Sequence, residues 1–195
     1  MLGCQRARTL RRPRVLAGGL GMGFTLRAAL DILPPTALVL VAELVPAVLE
    51  WNRGPLGMLA RRPLDDPRVH IENGDVAATM LSNPGRFDAV LIDVDNGPLA
   101  LTASSNAGLY DREGIALARS SLRPGGVLAV WSAGDDRRFE QRLRAAGFSV
   151  QRERVSSRLK KGPRHTILVA HNGSREPHVR AQRSFRYPIR RIGPE

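Results

Sequence analysis

Short apolar runs alternate along the chain with longer stretches in which apolar residues recur at helical spacing, the pattern of βα units and a parallel sheet. Runs of strand length fall at 14–17, 37–43, 69–72, 87–93, 126–131, 148–155 and 165–171, and helical spacing at 23–33, 46–59, 76–81, 111–122 and 135–146. Leu40 and Val90-Leu91-Ile92 lie in near-continuous apolar stretches, as expected where helices cover both sheet faces. Residues 156–163 leave no room for a helix between the last two strands, so these should pair as an antiparallel hairpin at one edge. The pattern predicts an α/β, Rossmann-like domain: a seven-stranded, mostly parallel sheet with helices on both faces and a C-terminal β-hairpin. It spans 14–172, between a basic segment, 1–13, and a basic tail, 173–195, that is expected to be disordered.

Charge changes this picture only at the ends. The net charge of +12 is concentrated in residues 1–14, with five Arg and no acid, and in 151–195, with twelve Lys or Arg against three acids. The body between them carries thirteen basic and fifteen acidic residues, so contact with nucleic acid or an acidic surface is an expectation for the ends alone. Cys4 is the only cysteine, which excludes an internal disulfide and any zinc site on paired cysteines. His165 and His171 stand far from any other ligand cluster, and no metal is expected. The richest apolar stretch, 37–49, is interrupted by Glu43 and Pro46 and is too short for a membrane span. Arg11-Arg12 and Leu2-Gly3-Cys4 imitate export signals, but no apolar core precedes Cys4 and the run after Arg14 reads as a strand, so the chain is expected to be cytoplasmic.

In such a sheet the ligand lies beyond the carboxyl ends of the strands. After the first strand comes Gly18-Gly19-Leu20-Gly21-Met22-Gly23. Glycines at 19, 21 and 23 let the backbone approach a ligand closely, but Phe24 stands where the dinucleotide fingerprint needs glycine, which argues against NAD. Glu43 ends the second strand, where an acid can accept from ribose hydroxyls. Asp75 follows the third, before Val76, and can accept from an adenine amino group or simply cap the next helix. Asp93 ends the fourth strand, and Asp95 and Asn96 follow; carboxylates after a buried run need water, a donor or a cation. Trp131, at the end of the fifth strand, packs on the sheet or borders the ligand, and Tyr110 packs near an acceptor cleft.

These residues resemble the spermidine synthase (polyamine aminopropyltransferase) family, within the class I S-adenosylmethionine-dependent methyltransferase fold. The glycine loop, Glu43, Asp66-Pro67-Arg68-Val69, Gly74-Asp75, Leu109-Tyr110-Asp111-Arg112-Glu113 and Leu122-Arg123-Pro124-Gly125-Gly126 are similar to that family's motifs. The resemblance covers about 14–172. The first Asp of the family's catalytic Asp-Ser-Ser-Asp-Pro matches Asp93, whereas Asn96 stands in place of the second. The family's N-terminal β-rich domain has no counterpart in the roughly thirteen residues before the first strand, so the acceptor site is expected to be built otherwise or the chain to be a short relative.

The resemblance implies transfer of an aminopropyl group from decarboxylated S-adenosylmethionine to an amine such as putrescine, in polyamine biosynthesis, with Asp93 as base. Gly19, Gly21, Gly23, Glu43, Asp75 and Val76 would bind the donor, and Asp95, Asn96 and Tyr110 the acceptor. Methyl transfer from S-adenosylmethionine is the alternative in the same scaffold, and a non-catalytic module that binds a nucleoside or nucleic acid is a third.

Overall fold

The computed structural model describes residues 2–94, 108–132, 136–156 and 164–173. Strands β1 (Arg14–Gly18), β2 (Leu38–Glu43), β3 (Val69–Asn73), β4 (Phe87–Ile92) and β5 (Leu122–Ser132) run parallel, and β6 (Ser149–Ser156) and β7 (Arg164–His171) complete the sheet as an antiparallel pair. The order is β3-β2-β1-β4-β5-β7-β6. The winding therefore reverses between β1 and β4, and the crevice outside that switch point is where open α/β sheets bind ligands.

Alternation along the strands sends side chains into two separate cores. Leu16, Val90 and Ile92 face α3 (Val76–Ser82), α4 (Arg112–Ser121) and α5 (Arg137–Ala145), whose Met80, Ile115, Phe139 and Leu143 fill that side. Val15, Ala17, Ala89 and Leu91 face α1 (Phe24–Leu30) and α2 (Pro46–Arg53), which contribute Leu26, Leu30 and Leu49. This second face is completed by the first residues of the chain, where two short 3-10 turns, Leu2–Cys4 and Ala7–Thr9, lie against it. Cys4 and Ala7 are buried, and a side chain on Gly3 would come within 2.6 Å of the Ala129 Cβ. Small residues thus let a strap of main chain lie flat on β4 and β5, while Arg6, Arg8, Arg11 and Arg12 stay exposed.

Three elements depart from the spacing. The helix expected over 46–59 stops at Arg53, because Gly54 precedes Pro55 and a residue before proline is driven out of the helical region; a 3-10 turn, Gly57–Ala60, follows. The helix expected over 23–33 is shorter, Phe24–Leu30, with Gly23 in the left-handed conformation at its start. Strand β5 begins earlier than expected, at Leu122, which pairs with Phe87 before the register shifts around Pro124-Gly125, as a bulge permits. Among the described residues no helix is long and apolar enough to cross a membrane.

Candidate active site

The glycine loop is held over the ends of three strands by its own main chain. Gly19 N–H donates to the Ala42 carbonyl at 2.9 Å and Asp93 N–H to the Gly18 carbonyl at 3.1 Å, so the loop bridges β2 and β4. Gly19 has φ +82°, and a Cβ there would lie 2.8 Å from Val94 Cγ1 and 3.1 Å from the Asp93 carbonyl oxygen. Only glycine tolerates both the conformation and the approach. At Gly18 a Cβ would meet Val76 Cγ2 at 2.7 Å; Val76 is buried at the start of α3 and seats that helix against β1.

Glu43 is 7% exposed, and both carboxylate oxygens accept from main chain: Oε2 from Leu20 N–H at 2.8 Å and Oε1 from Val45 N–H at 2.9 Å. Its charge is thereby compensated, and its orientation is fixed at the end of β2. Each oxygen has a second acceptor direction, which is what a diol would use. Asp75 Oδ1 accepts from Ala77 N–H at 2.8 Å as the N-cap of α3, and its side chain is exposed. The capping role weighed for Asp75 is thus present in the geometry.

Asp93 is half-buried. Its Oδ2 accepts from the Thr25 hydroxyl at 2.5 Å, a bond that ties the acid to the second residue of α1. It lines a cleft of about 510 Å³ together with Gly21, Met22, Val48, Trp51, Leu56 and Trp131. Trp131 is supported from behind by His165, stacked at 4.8 Å between ring centroids. The Trp51 side chain, on the rim, is 53% exposed. Tyr110 lies behind the acid: it is 6% exposed, its hydroxyl donates to the Val94 carbonyl at 3.2 Å, and its ring meets Phe139 edge to face. Asp95 and Asn96 lie outside the described residues.

Two side chains of this site were missed in the sequence. Thr25 sits among ordinary helix residues, and only the fold brings it to Asp93. Asn52 is 1% exposed and donates to the Gly21 carbonyl at 2.8 Å and to Val48 at 2.9 Å, so α2 grips the glycine loop. A polar residue one turn beyond the buried Leu49 on α2 was the available clue. The motif Asp66-Pro67-Arg68-Val69, by contrast, works away from the cleft. Arg68 pairs with Asp66 at 2.7 Å and donates to the carbonyls of Leu30 and Leu33 at the end of α1. These Arg68 hydrogen bonds hold the Asp66 carboxyl below its usual range.

Strand order, switch-point cleft and glycine loop define the class I S-adenosylmethionine-dependent methyltransferase fold, and comparison with solved structures agrees. A spermidine synthase in complex with the transition-state analogue AdoDATO superposes with a TM-score of 0.66 at 20% identity, over 86% of this chain and 55% of that one. Precorrin-6y C5,15-methyltransferase from Geobacter metallireducens gives 0.61 at 17% identity, over 87% and 86%. Within that fold the chain is spermidine synthase-like: it is 31% identical over 147 residues to the polyamine aminopropyltransferase of Mycobacterium tuberculosis strain H37Rv, an alignment covering 70% of this chain. The chain spans about a quarter of that relative's length, 26%. No family model matches it.

Proposed function

We propose that this chain transfers a group from an adenosyl sulfonium donor to a small acceptor in the cleft, and that the group is the aminopropyl of decarboxylated S-adenosylmethionine and the acceptor an amine. The observation that carries this reading is Asp93: a carboxylate oriented by Thr25, one residue past β4, on the wall of a cleft bounded by the glycine loop. Likeness to an aminopropyltransferase and to a spermidine synthase that holds AdoDATO supports the choice of donor. In this reading Gly19, Gly21 and Gly23 let the loop lie against the donor, Glu43 accepts from its ribose hydroxyls, and Asp75 and Val76 border the adenine.

The chemistry requires little more than alignment and one proton acceptor. An ammonium has no lone pair to attack with. Asp93 takes a proton from it, the freed amine nitrogen bonds to the propyl carbon next to sulfur, and the carbon–sulfur bond breaks. Its electron pair returns to sulfur as 5′-methylthioadenosine leaves. Methyl transfer is kept as a second reading because the other cleft walls, Met22, Val48, Trp51, Leu56 and Trp131, are largely apolar and accommodate a neutral acceptor that needs no cation site.

Incubation with each sulfonium donor and a panel of amines separates the two by product mass. Release of 5′-methylthioadenosine supports aminopropyl transfer, S-adenosylhomocysteine supports methyl transfer, and neither product with either donor refutes both. Asp93→Asn should lower turnover by about 10²- to 10⁴-fold and leave donor affinity, measured by calorimetry, unchanged.

A further inference from the structure

We propose that the pole of the domain opposite the cleft is a nucleic-acid-binding surface, which grips the phosphate backbone through a fixed cluster of arginines. The cluster has two parts. Arg8, Arg11 and Arg12 are exposed on the N-terminal strap, and the strap is anchored by buried Cys4 and Ala7 and by the Thr36 hydroxyl, which donates to the Arg11 carbonyl. Arg6, Arg119 and Arg123 converge where β5 begins: Arg6 donates to the Gly125 carbonyl, Arg119 to Asn172 Oδ1 at 3.1 Å, and Asn172 in turn donates to the Arg123 carbonyl at 3.3 Å. The acid beside them, Asp88, is 8% exposed and already held by Arg123 at 2.9 Å and by Arg14 N–H at 2.7 Å. Its negative charge is therefore spent on Arg123, and the exposed Arg6 and Arg119 present their charge to solvent.

Gly173 also reaches this pole, where a Cβ on it would lie 3.5 Å from Gly125 N. The cleft lies at the other ends of the strands. Asp88 is the second residue of β4 and Asp93 follows its last, a separation of about 16 Å at the rise of an extended strand. That is about twice the screening length of ~8 Å at physiological ionic strength, so this pole and a cationic acceptor in the cleft interfere little.

Phosphate fits this surface better than a lipid bilayer does. Arginine presents a planar fork that matches phosphate oxygens two at a time. Interfacial membrane binding pairs basic residues with inserted apolar ones, and among the described residues no exposed large apolar side chain lies on the strap: Met22, Phe24, Trp51 and Met58 belong to the loop and helices around the cleft, and Leu81 and Val155 to the end of α3 and to β6. Such contacts read backbone rather than base, so binding should be insensitive to sequence and strongly sensitive to salt.

The test is fluorescence anisotropy of the full-length chain with a labelled RNA strand of mixed sequence, at several salt concentrations. The triple reversal Arg8→Glu, Arg11→Glu, Arg12→Glu should weaken binding at low salt by at least about tenfold and flatten the slope of log K against log salt by roughly 2. The melting temperature should hold; if it falls, the neutral triple Arg→Gln serves instead and should flatten the slope alike. A variant with the six arginines beyond Gly173 changed to Gln should retain salt-dependent binding. The proposal is overturned if wild type does not bind RNA, if the strap variants bind as wild type does, if the tail variant alone abolishes binding, or if the chain sediments with phosphatidylserine vesicles in preference to RNA.

Discussion

A carboxylate at the end of a buried strand serves as a base only if one oxygen is kept aimed at the acceptor, and in this chain that task falls to Thr25. Its hydroxyl occupies Asp93 Oδ2, which fixes the rotamer and leaves the other oxygen for the cleft. Because Thr25 does not itself line the cleft and meets it through Asp93, its loss should act through that acid. Thr25→Val is expected to lower kcat by about 10- to 100-fold with the donor KM unchanged, and Thr25→Ser, which keeps the hydroxyl, should restore most of it. Equal kcat values for Val and Ser would remove the hydrogen bond from the mechanism. Gly19 makes the complementary case for the donor. An alanine there faces a left-handed backbone costing about 1–2 kcal/mol and a contact with Val94, so Gly19→Ala should weaken donor binding by roughly tenfold or more, readable by calorimetry. Glu43 and Asp93 were legible as candidates because each follows or ends a buried apolar run. Thr25 and Asn52 were not, since the partners that place them in the site lie 68 and 31 positions away.

Elements were legible wherever burial alone dictates them. Strand β4 is buried at every position, and a run of that kind reads as a central parallel strand from sequence. Strand β3 is largely exposed on an edge, and only the short run 69–72 marked it in the sequence. The Asp66-Pro67-Arg68-Val69 motif before it is a clamp: Arg68 closes the open carbonyls at the end of α1 while paired to Asp66, both side chains at 15% exposure. Cutting it leaves buried carbonyls unpaired and Asp66 with only the main-chain N–H of residue 68, so Arg68→Met should cost roughly 2 kcal/mol and lower Tm by about 4–8 °C in a chain of this size. The pH dependence follows from the depressed folded-state value of Asp66. A carboxyl held below its unfolded value contributes stability that is complete above the unfolded value of about 3.9 and is lost as pH falls through the folded one. The urea midpoints of wild type and Asp66→Asn should therefore differ at pH ~7 and converge toward pH ~2. A gap that stays constant across that range would show that the charge contributes nothing.

At the scale of the whole molecule, the least legible feature was the strap. Four of its first thirteen residues are arginine and its buried residues are as small as Gly3, Cys4 and Ala7, so no hydrophobic period announces that it packs. Yet it covers the part of the sheet face over β4 and β5, where Leu91 and Ala129 meet it. If that cover belongs to the same cooperative core, the strap cannot lift without unfolding the sheet beneath it. Cys4 reports on this directly. It is fully buried and is the chain's only cysteine, and burial pushes its thiol up to about 12, so in the folded state both access and thiolate are withheld from an alkylating reagent. Under native conditions labelling should be slow. With added urea its free energy of opening should fall along the same line as global unfolding measured by circular dichroism, because the two events expose the same surface. Rapid labelling without denaturant, independent of urea, would instead mean that the strap detaches alone. The arginines it carries would then be a mobile arm rather than a rigid face, and the charge at that pole would lose its fixed geometry.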